Sequence, residues 1–386
     1  MEDTMGQTVS RARLDAWAGA LILAIGMGFG RFSFTAMYPL MVRDALIDVG
    51  TGSLAASANY AGYLLGAILA ARFRHEHAAR LAGLSMIATT VLLAALSFHE
   101  APSLIVAIRF VAGAVSAISF VAASVWLFHV IGDHHGAPVL YAGVGIGIVA
   151  SAELVAIGAS SSFNSLALWA LLAAVSLLLS VAAWQRVRDA REHADADDHA
   201  QAAAAGTAQN VLGAYRLVTI YGLSGFGYIV TATYLPLLVK QALPQLNPVH
   251  IWAVFGLGAV PSCFLWHWLH HKLGTRLSLA VNLLVQAVGV VLPALDASAL
   301  TFVASALLVG GTFVGTVTIA MPAARRVART VRFNIMATMT AAYGVGQIVG
   351  PLVSGALFAR THSFDQPLVA AGAGLAVAAL LTCRSK

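Results

Sequence analysis

Long apolar stretches follow one another along the whole chain, each closed by a short polar or charged break. They fall at 15–40, 51–72, 80–98, 102–129, 138–161, 164–185, 213–239, 249–269, 276–297, 299–322, 334–359 and 366–383. A bilayer-spanning helix takes about 20 apolar residues, so the pattern predicts twelve spans joined by short loops. The first stretch is too long, and too polar at Arg31, for the apolar region of a cleaved signal peptide. It reads as a retained helix.

Composition points the same way. Of 386 residues, 59% are hydrophobic and 10% are charged, against about 25% charged in a soluble domain. A soluble globule with so few charges exposes one large apolar patch, and a disordered chain does not carry so much apolar surface. Cys263 and Cys383 are the only cysteines, which excludes a disulfide scaffold. Both lie in apolar runs and read as free packing thiols. The fold class expected is all-α integral membrane.

The net charge of +6 is spread singly between apolar runs, which favours membrane orientation over nucleic-acid binding. On the N-terminal side of the expected spans lie Arg11, Arg13, Arg72, Arg74, Arg80, Arg186, Arg188, Arg191, Arg216, Lys272, Arg276, Arg325, Arg326, Arg329, Arg332, Arg384 and Lys386. On the other side lie only Arg43, Lys240 and Arg360, while Arg31 and Arg109 fall inside spans. Positive charge gathers on the cytoplasmic side, so both termini are expected in the cytoplasm of a bacterial cell, with the chain multi-pass in the inner membrane. An eleven-span reading destroys the alternation.

Two halves emerge. The charged, Ala-rich run 186–212 near the midpoint reads as a cytoplasmic linker, partly helical or disordered. It separates an N-terminal six-helix bundle, 1–185, from a C-terminal one, 213–386. The halves repeat: Gly28-Phe29-Gly30, Pro39-Leu40 and Val42-Arg43 match Gly225-Phe226-Gly227, Pro236-Leu237 and Val239-Lys240 at a constant offset. Gly62 falls over Gly258, Arg80 over Arg276 and Gly113 over Gly310. A parallel repeat of two such halves is a transporter architecture, with the substrate near the midplane between them.

At this point the chain resembles the major facilitator superfamily. Its loop motif of the type Gly-x-x-x-Asp-Arg-x-Gly-Arg-Arg has a first copy here at Gly66, Arg72, Arg74 and Arg80, without the Asp or the inner Gly. The second copy, His271-Lys272-Leu273-Gly274-Thr275-Arg276, is closer. Arg109-Phe110-Val111-Ala112-Gly113 is similar to the Arg-x-x-x-Gly motif of proton-coupled antiporters. Gly143, Gly145 and Gly147 resemble the antiporter glycine motif without its Pro, and Gly344, Gly346, Gly350-Pro351 and Gly355 give a fuller copy. More narrowly, Gly28 to Phe32, Tyr38 to Met41 and Ser57 to Ala67 resemble the bacterial YbfB/YjiJ-like branch. The resemblance implies twelve transmembrane helices in two pseudo-symmetric six-helix bundles, and a monomer.

Charges inside spans carry the sharpest chemical signal, because each costs about 2.5–3.5 kcal/mol or more unless it faces a wet cavity and a partner. Arg31, Arg109 and Glu153 are three, at similar depth in the outer half, so one Arg–Glu–Arg cluster is expected. Glu153 is the candidate proton carrier, tuned by desolvation and by the arginines. Arg31 or Arg109 is alternatively a site for an anionic substrate group. The resemblance implies a cavity lined by helices one, four, seven and ten. It makes Thr35, Asn59, Tyr63, Ser116, Tyr228, Thr231, Thr312, Thr316, Tyr343 and Gln347 substrate-contact candidates, with Tyr228 the repeat partner of Arg31.

Other features read structurally. The glycine rows allow close helix approach and follow no strand, so nucleotide binding is not expected. Pro39, Pro236, Pro261 and Pro351 read as helix ends or kinks. His134-His135 and His267 with His270-His271 read as interfacial histidines and not a metal site; Trp252, Trp266 and Trp268 read as an interface belt. No nucleophile motif supports an enzyme, and no cofactor is expected. The expectation is a secondary transporter moving a small organic solute by alternating access, with proton-coupled export through Glu153. Import of a small organic anion by proton symport is the first alternative, and a non-transporting membrane sensor the second.

Overall fold

A computed structural model describes residues 14–133, 136–194 and 212–383. The expectations for Arg11, Arg13, His134, His135, Arg384, Lys386 and most of the linker lie outside the described residues. Within them, eleven helices are long and apolar enough to cross a bilayer. They are α1 (Leu14–Arg43), α2 (Val49–Ala70), α3 (His75–Ala95), α4 (Pro102–Val130), α5 (Ala137–Ser160) and, after a short turn, α6 (Ser165–Ala194). The second set is α7 (Ala214–Ala242), α8 (Pro248–Leu295), α9 (Ala299–Val327), α10 (Ile335–Thr361) and α11 (Asp365–Cys383).

Local chemistry places the ends. The Asp48 carboxylate accepts from the Thr51 backbone N–H (2.6 Å) at the start of α2. Asn247 caps α8, whose first residue is Pro248, and Ser298 with Thr301 forms a capping box on α9. Asn334 caps α10, and His362 closes it in the left-handed conformation.

The longest helix departs from the expected pattern. α8 has 48 residues, about 72 Å at ~1.5 Å per residue, more than twice a bilayer's ~30 Å hydrocarbon core. Gly274 interrupts it with φ 70° and ψ 175°, a backbone conformation open to glycine and strained for other residues. The break sits inside His271–Arg276, the second loop motif. Two further readings are narrowed. α6 continues past Gln185 to Ala194, so the helix takes in the first part of the linker. Of the two readings of Pro39, Pro236, Pro261 and Pro351, helix ends are ruled out, since all four lie inside helices.

Small residues set the packing. A Cβ at Gly62 would overlap the backbone carbonyl of Phe110, and one at Gly113 the carbonyl of Asn59, so α2 and α4 touch backbone to backbone. The matching contacts recur between α8 and α9, where Gly258 meets the Leu307 carbonyl and Gly310 the Phe255 carbonyl. Without a hydrophobic drive between helices in lipid, such close contact is what holds them. Aliphatic side chains such as Leu178, Leu380 and Ile87 point outward and are exposed, as a lipid-facing surface requires.

The first six helices meet the rest through α1 against α7, α2 against α10 and α5 against α8. Hydrogen bonds join them toward the end of the molecule that carries Asp44. Thr35 Oγ1 donates to the Ala232 carbonyl (2.7 Å), Ser57 Oγ to the Ile348 carbonyl (3.1 Å) and the Tyr234 hydroxyl to Ser53 Oγ (2.7 Å). The hydroxyls of Tyr60 and Thr233 lie 3.0 Å apart.

Candidate functional site

The middle of α1 is not an ordinary helix. Ala24–Phe32 winds as a π-helix, every residue of it buried. Widened turns of this kind are rare and are frequent at functional sites. Arg31 lies near its end, 3% exposed. Its guanidinium carbon sits 4.0 Å from the centre of the Tyr63 ring, 5.0 Å from Tyr60 and 5.2 Å from Phe32. Its Nε and Nη2 are buried and have no hydrogen-bond partner.

Arg109 reaches the same place from α4 and does different work. Its Nη1 donates to the carbonyl of Gly30 (3.0 Å) and its Nη2 to that of Arg31 (2.9 Å). The guanidinium also lies 4.5 Å from the Phe34 ring centre. Asn59 Nδ2 in turn donates to the Arg109 carbonyl (2.9 Å). Arg109 therefore fixes the backbone on which Arg31 is mounted.

Across from Arg31 stands a run of stacked rings. Tyr228 lies parallel to Phe313, with centroids 5.5 Å apart and planes at 11°. Tyr343 stacks on Tyr228 at 5.7 Å and on Tyr221 at 4.6 Å. Phe255 and Trp252 continue the row beyond Phe313. Phe32 bridges the two sides, with its ring 6.2 Å from those of both Trp252 and Phe313. Gln347 Nε2 donates to the Tyr228 hydroxyl, while Gln347 Oε1 is left without a partner, as is the nearby Thr231 hydroxyl.

The expected Arg–Glu–Arg cluster does not form. Glu153 pairs with His250, Oε1 to Nδ1 at 2.9 Å, and both side chains are partly exposed, at 40% and 55%. The α5 face that carries Glu153 turns toward α8, where His250 stands. The ion pairs among the described residues involve neither Arg31 nor Arg109.

The other candidates divide. Arg31, Tyr63, Arg109 and Asn59 come together, and so do Tyr228, Tyr343 and Gln347 beside them. Thr316 instead bonds Asn282 (2.7 Å) in a separate α8–α9 network that includes Thr312 and Gln286. Ser116 bonds within its own helix, and Thr35 is engaged with Ala232. Trp252 and Trp266 are core residues and not an interface belt: Trp252 is stacked and fully buried, and Trp266 Nε1 donates to the Gly311 carbonyl (2.6 Å). Trp268 alone is exposed, beneath Lys272. Tyr60, Phe32 and Phe313 were missed as site residues. Phe32 adjoins Arg31 in sequence, and Tyr60 shares a helix face with Tyr63 at i, i+3, the signals that mark two of them.

His270 Nε2 lies 3.0 Å from Thr275 Oγ1, which also accepts from Arg326 Nη2 (2.9 Å). This ties α9 to the break in α8. Among the described residues no three His, Cys, Asp or Glu side chains are grouped to hold a metal ion.

Membrane helices packed around two buried arginines and an aromatic wall are the setting, and the family match below makes the chain a membrane transporter and not an enzyme. The chain belongs to the family described as "Uncharacterised MFS-type transporter YbfB", whose model matches residues 23–383. No protein of curated function matches the sequence. Two solved structures are similar in fold over nearly the whole chain. One is a mutant of the nucleoside transporter NupG, 13% identical, with a TM-score of 0.67, covering 96% of this chain and 98% of that one. The other is a bacterial homolog of the human lysosomal transporter Spinster in an inward-facing and occupied conformation, 14% identical, with a TM-score of 0.65 and 95% of each chain covered.

Proposed function

We propose that the protein is a secondary transporter of a small organic anion, linked to protons and working by alternating access in the bacterial inner membrane. The observation that carries this reading is the buried, unpartnered Nε–Nη2 edge of Arg31. A charge inside the bilayer costs at least about 2.5–3.5 kcal/mol. Nearby aromatic rings return roughly 0.5–2 kcal/mol each, but Nε and Nη2 still lack a hydrogen-bond partner. An anionic ligand supplies the missing partner.

The architecture follows from the same helices. Taking α8 as two spans broken at Gly274 gives twelve and keeps the loop charges alternating, with the termini cytoplasmic. The paired glycine contacts of α2–α4 and α8–α9 support two equivalent halves, 1–185 and 213–386, that rock about the α1–α7 crossing. The bonds clustered toward the Asp44 end then form a closed outer gate.

Proton linkage has an energetic reason. A monovalent anion entering a cell works against about 2.3 kcal/mol per 100 mV, and one accompanying proton cancels that charge. Glu153 and His250 are a titratable pair joining the halves, so Glu153 keeps the coupling role with His250, and not an arginine, as its partner. Export is the second reading, favoured by the antiporter-like Arg109–Gly113 segment.

Purified protein in liposomes tests both. With the outside made acid, symport drives labelled carboxylate inward and antiport drives it outward. Arg31→Gln abolishes either flux. Flux that survives Arg31→Gln contradicts the anion site, and gradient-driven flux that survives Glu153→Gln contradicts the coupling role.

A further inference from the structure

Resting on that reading, we propose that the ligand of the Arg31 site is a monocarboxylate bearing an aromatic ring. Its carboxylate lies on the Nε–Nη2 edge of Arg31 and its ring against the Tyr228–Phe313–Tyr343 stack.

The charge follows from the donors. Nε and Nη2 share the guanidinium edge whose N–H bonds run parallel, the edge that receives a carboxylate bidentately. Both are buried and empty-handed. Arg109, the other buried arginine, has its two terminal nitrogens committed to the Gly30 and Arg31 carbonyls. The site thus presents one free fork and answers one carboxylate. A second carboxylate on the ligand meets aromatic and apolar walls.

The ring follows from the wall. Tyr228 and Phe313 are parallel within 11°, and Tyr343 within 20° of Tyr228, so the wall beside Arg31 is built of aligned flat rings, against which another flat ring packs well. Offset stacking adds to burial alone. Phe32 links the two parts, its ring centre 5.2 Å from the guanidinium carbon of Arg31 and 6.2 Å from the Phe313 ring, so a ligand held at Arg31 has the aromatic wall beside it.

Thermal unfolding of the full-length protein in detergent tests this, with benzoate, cyclohexanecarboxylate, acetate, succinate and benzylamine as probes, since a ligand that binds the folded state raises the melting temperature. Benzoate is expected to bind at least about tenfold tighter than acetate or succinate, and about two- to tenfold tighter than cyclohexanecarboxylate. Benzylamine gives no shift. Arg31→Gln abolishes the benzoate shift. Arg31→Lys, which keeps the charge and loses the fork, weakens it and serves where Arg31→Gln does not fold. Phe313→Leu removes the preference for benzoate over cyclohexanecarboxylate. Acetate, succinate or cyclohexanecarboxylate binding as tightly as benzoate, still dependent on Arg31, overturns the aromatic assignment and leaves the anion reading standing. Benzylamine binding, a benzoate shift that survives Arg31→Gln, or no shift with any carboxylate overturns both.

Discussion

Arg109 grips Arg31 by its backbone: Nη2 of the first donates to the main-chain carbonyl of the second at 2.9 Å, and Nη1 reaches the Gly30 carbonyl beside it at 3.0 Å. The two guanidinium groups serve different ends. One is committed to holding the π-helical turn, and the other keeps an edge free.

This relationship predicts that Arg109 acts through position. Arg109→Lys cannot bridge both carbonyls, and each charge-assisted bond is worth about 1.5–3 kcal/mol. The variant should melt at a lower temperature and show a raised KM for transport, with kcat less affected. A variant with wild-type melting and wild-type KM contradicts the positioning role.

The cation–π contact predicts a graded effect at Tyr63. Tyr63→Phe keeps the ring under Arg31 and should retain most of the wild-type stability. Tyr63→Ala removes it, at a cost of about 0.5–2 kcal/mol. Equal melting of the two variants argues against the contact.

Close helix approach predicts matched failures in the two halves. Gly113→Leu and Gly310→Leu each drive a side chain into a backbone carbonyl of the neighbouring helix. Both should lose monodisperse protein on gel filtration. Gly213→Ala is the control, since its added methyl meets nothing within 4 Å. Tolerance at one of the paired glycines and not at the other contradicts equivalent packing.

Acid should expose the role of Asp44. Arg43 (2.7 Å) and the Ser165 backbone N–H (2.7 Å) hold its carboxyl down to about 2, from an ordinary 3.8. The folded value lies below the unfolded one, so the unfolded chain takes up the proton first as pH falls. The stabilisation is complete above about pH 4 and is lost as pH drops through about 2. Ion pairs at a surface contribute below about 1 kcal/mol, so the effect is small. The melting difference between wild type and Asp44→Asn should be constant from about pH 7 to 5 and close below about pH 4. A difference that widens on acidification contradicts it.

The Glu153–His250 pair predicts coupling between sites 97 residues apart in sequence. A double-mutant cycle of Glu153→Gln and His250→Ala should return about 0.2–1 kcal/mol, the range for partly exposed pairs. Strict additivity would remove the bridge between α5 and α8.

Much of this was legible in the sequence. Apolar run lengths located the helices, and the nearly equal offsets that aligned Gly62 with Gly258 and Gly113 with Gly310 anticipated the matching carbonyl contacts. Arg31 and Arg109 announced themselves as charges inside apolar runs. What the sequence withheld was rotation about the helix axis. Rise per residue puts Arg109 and Glu153 at comparable depth, but ~100° of turn per residue decides which neighbour each faces, and packing fixes that angle. The π-helical turn also escaped, because nothing in Ala24–Phe32 distinguishes its hydrogen-bond register from the ordinary one. Trp252 looked like an interface residue by position along α8 and proved to be part of the aromatic row, packed against Phe32 and Phe255.

The most direct measurement is an experimental structure of the protein with bound benzoate. The account predicts both carboxylate oxygens at about 2.7–2.9 Å from Nε and Nη2 of Arg31, with the ring beside Tyr228. A ligand bound elsewhere, or an Arg31 edge already occupied by a protein carboxylate, would contradict it.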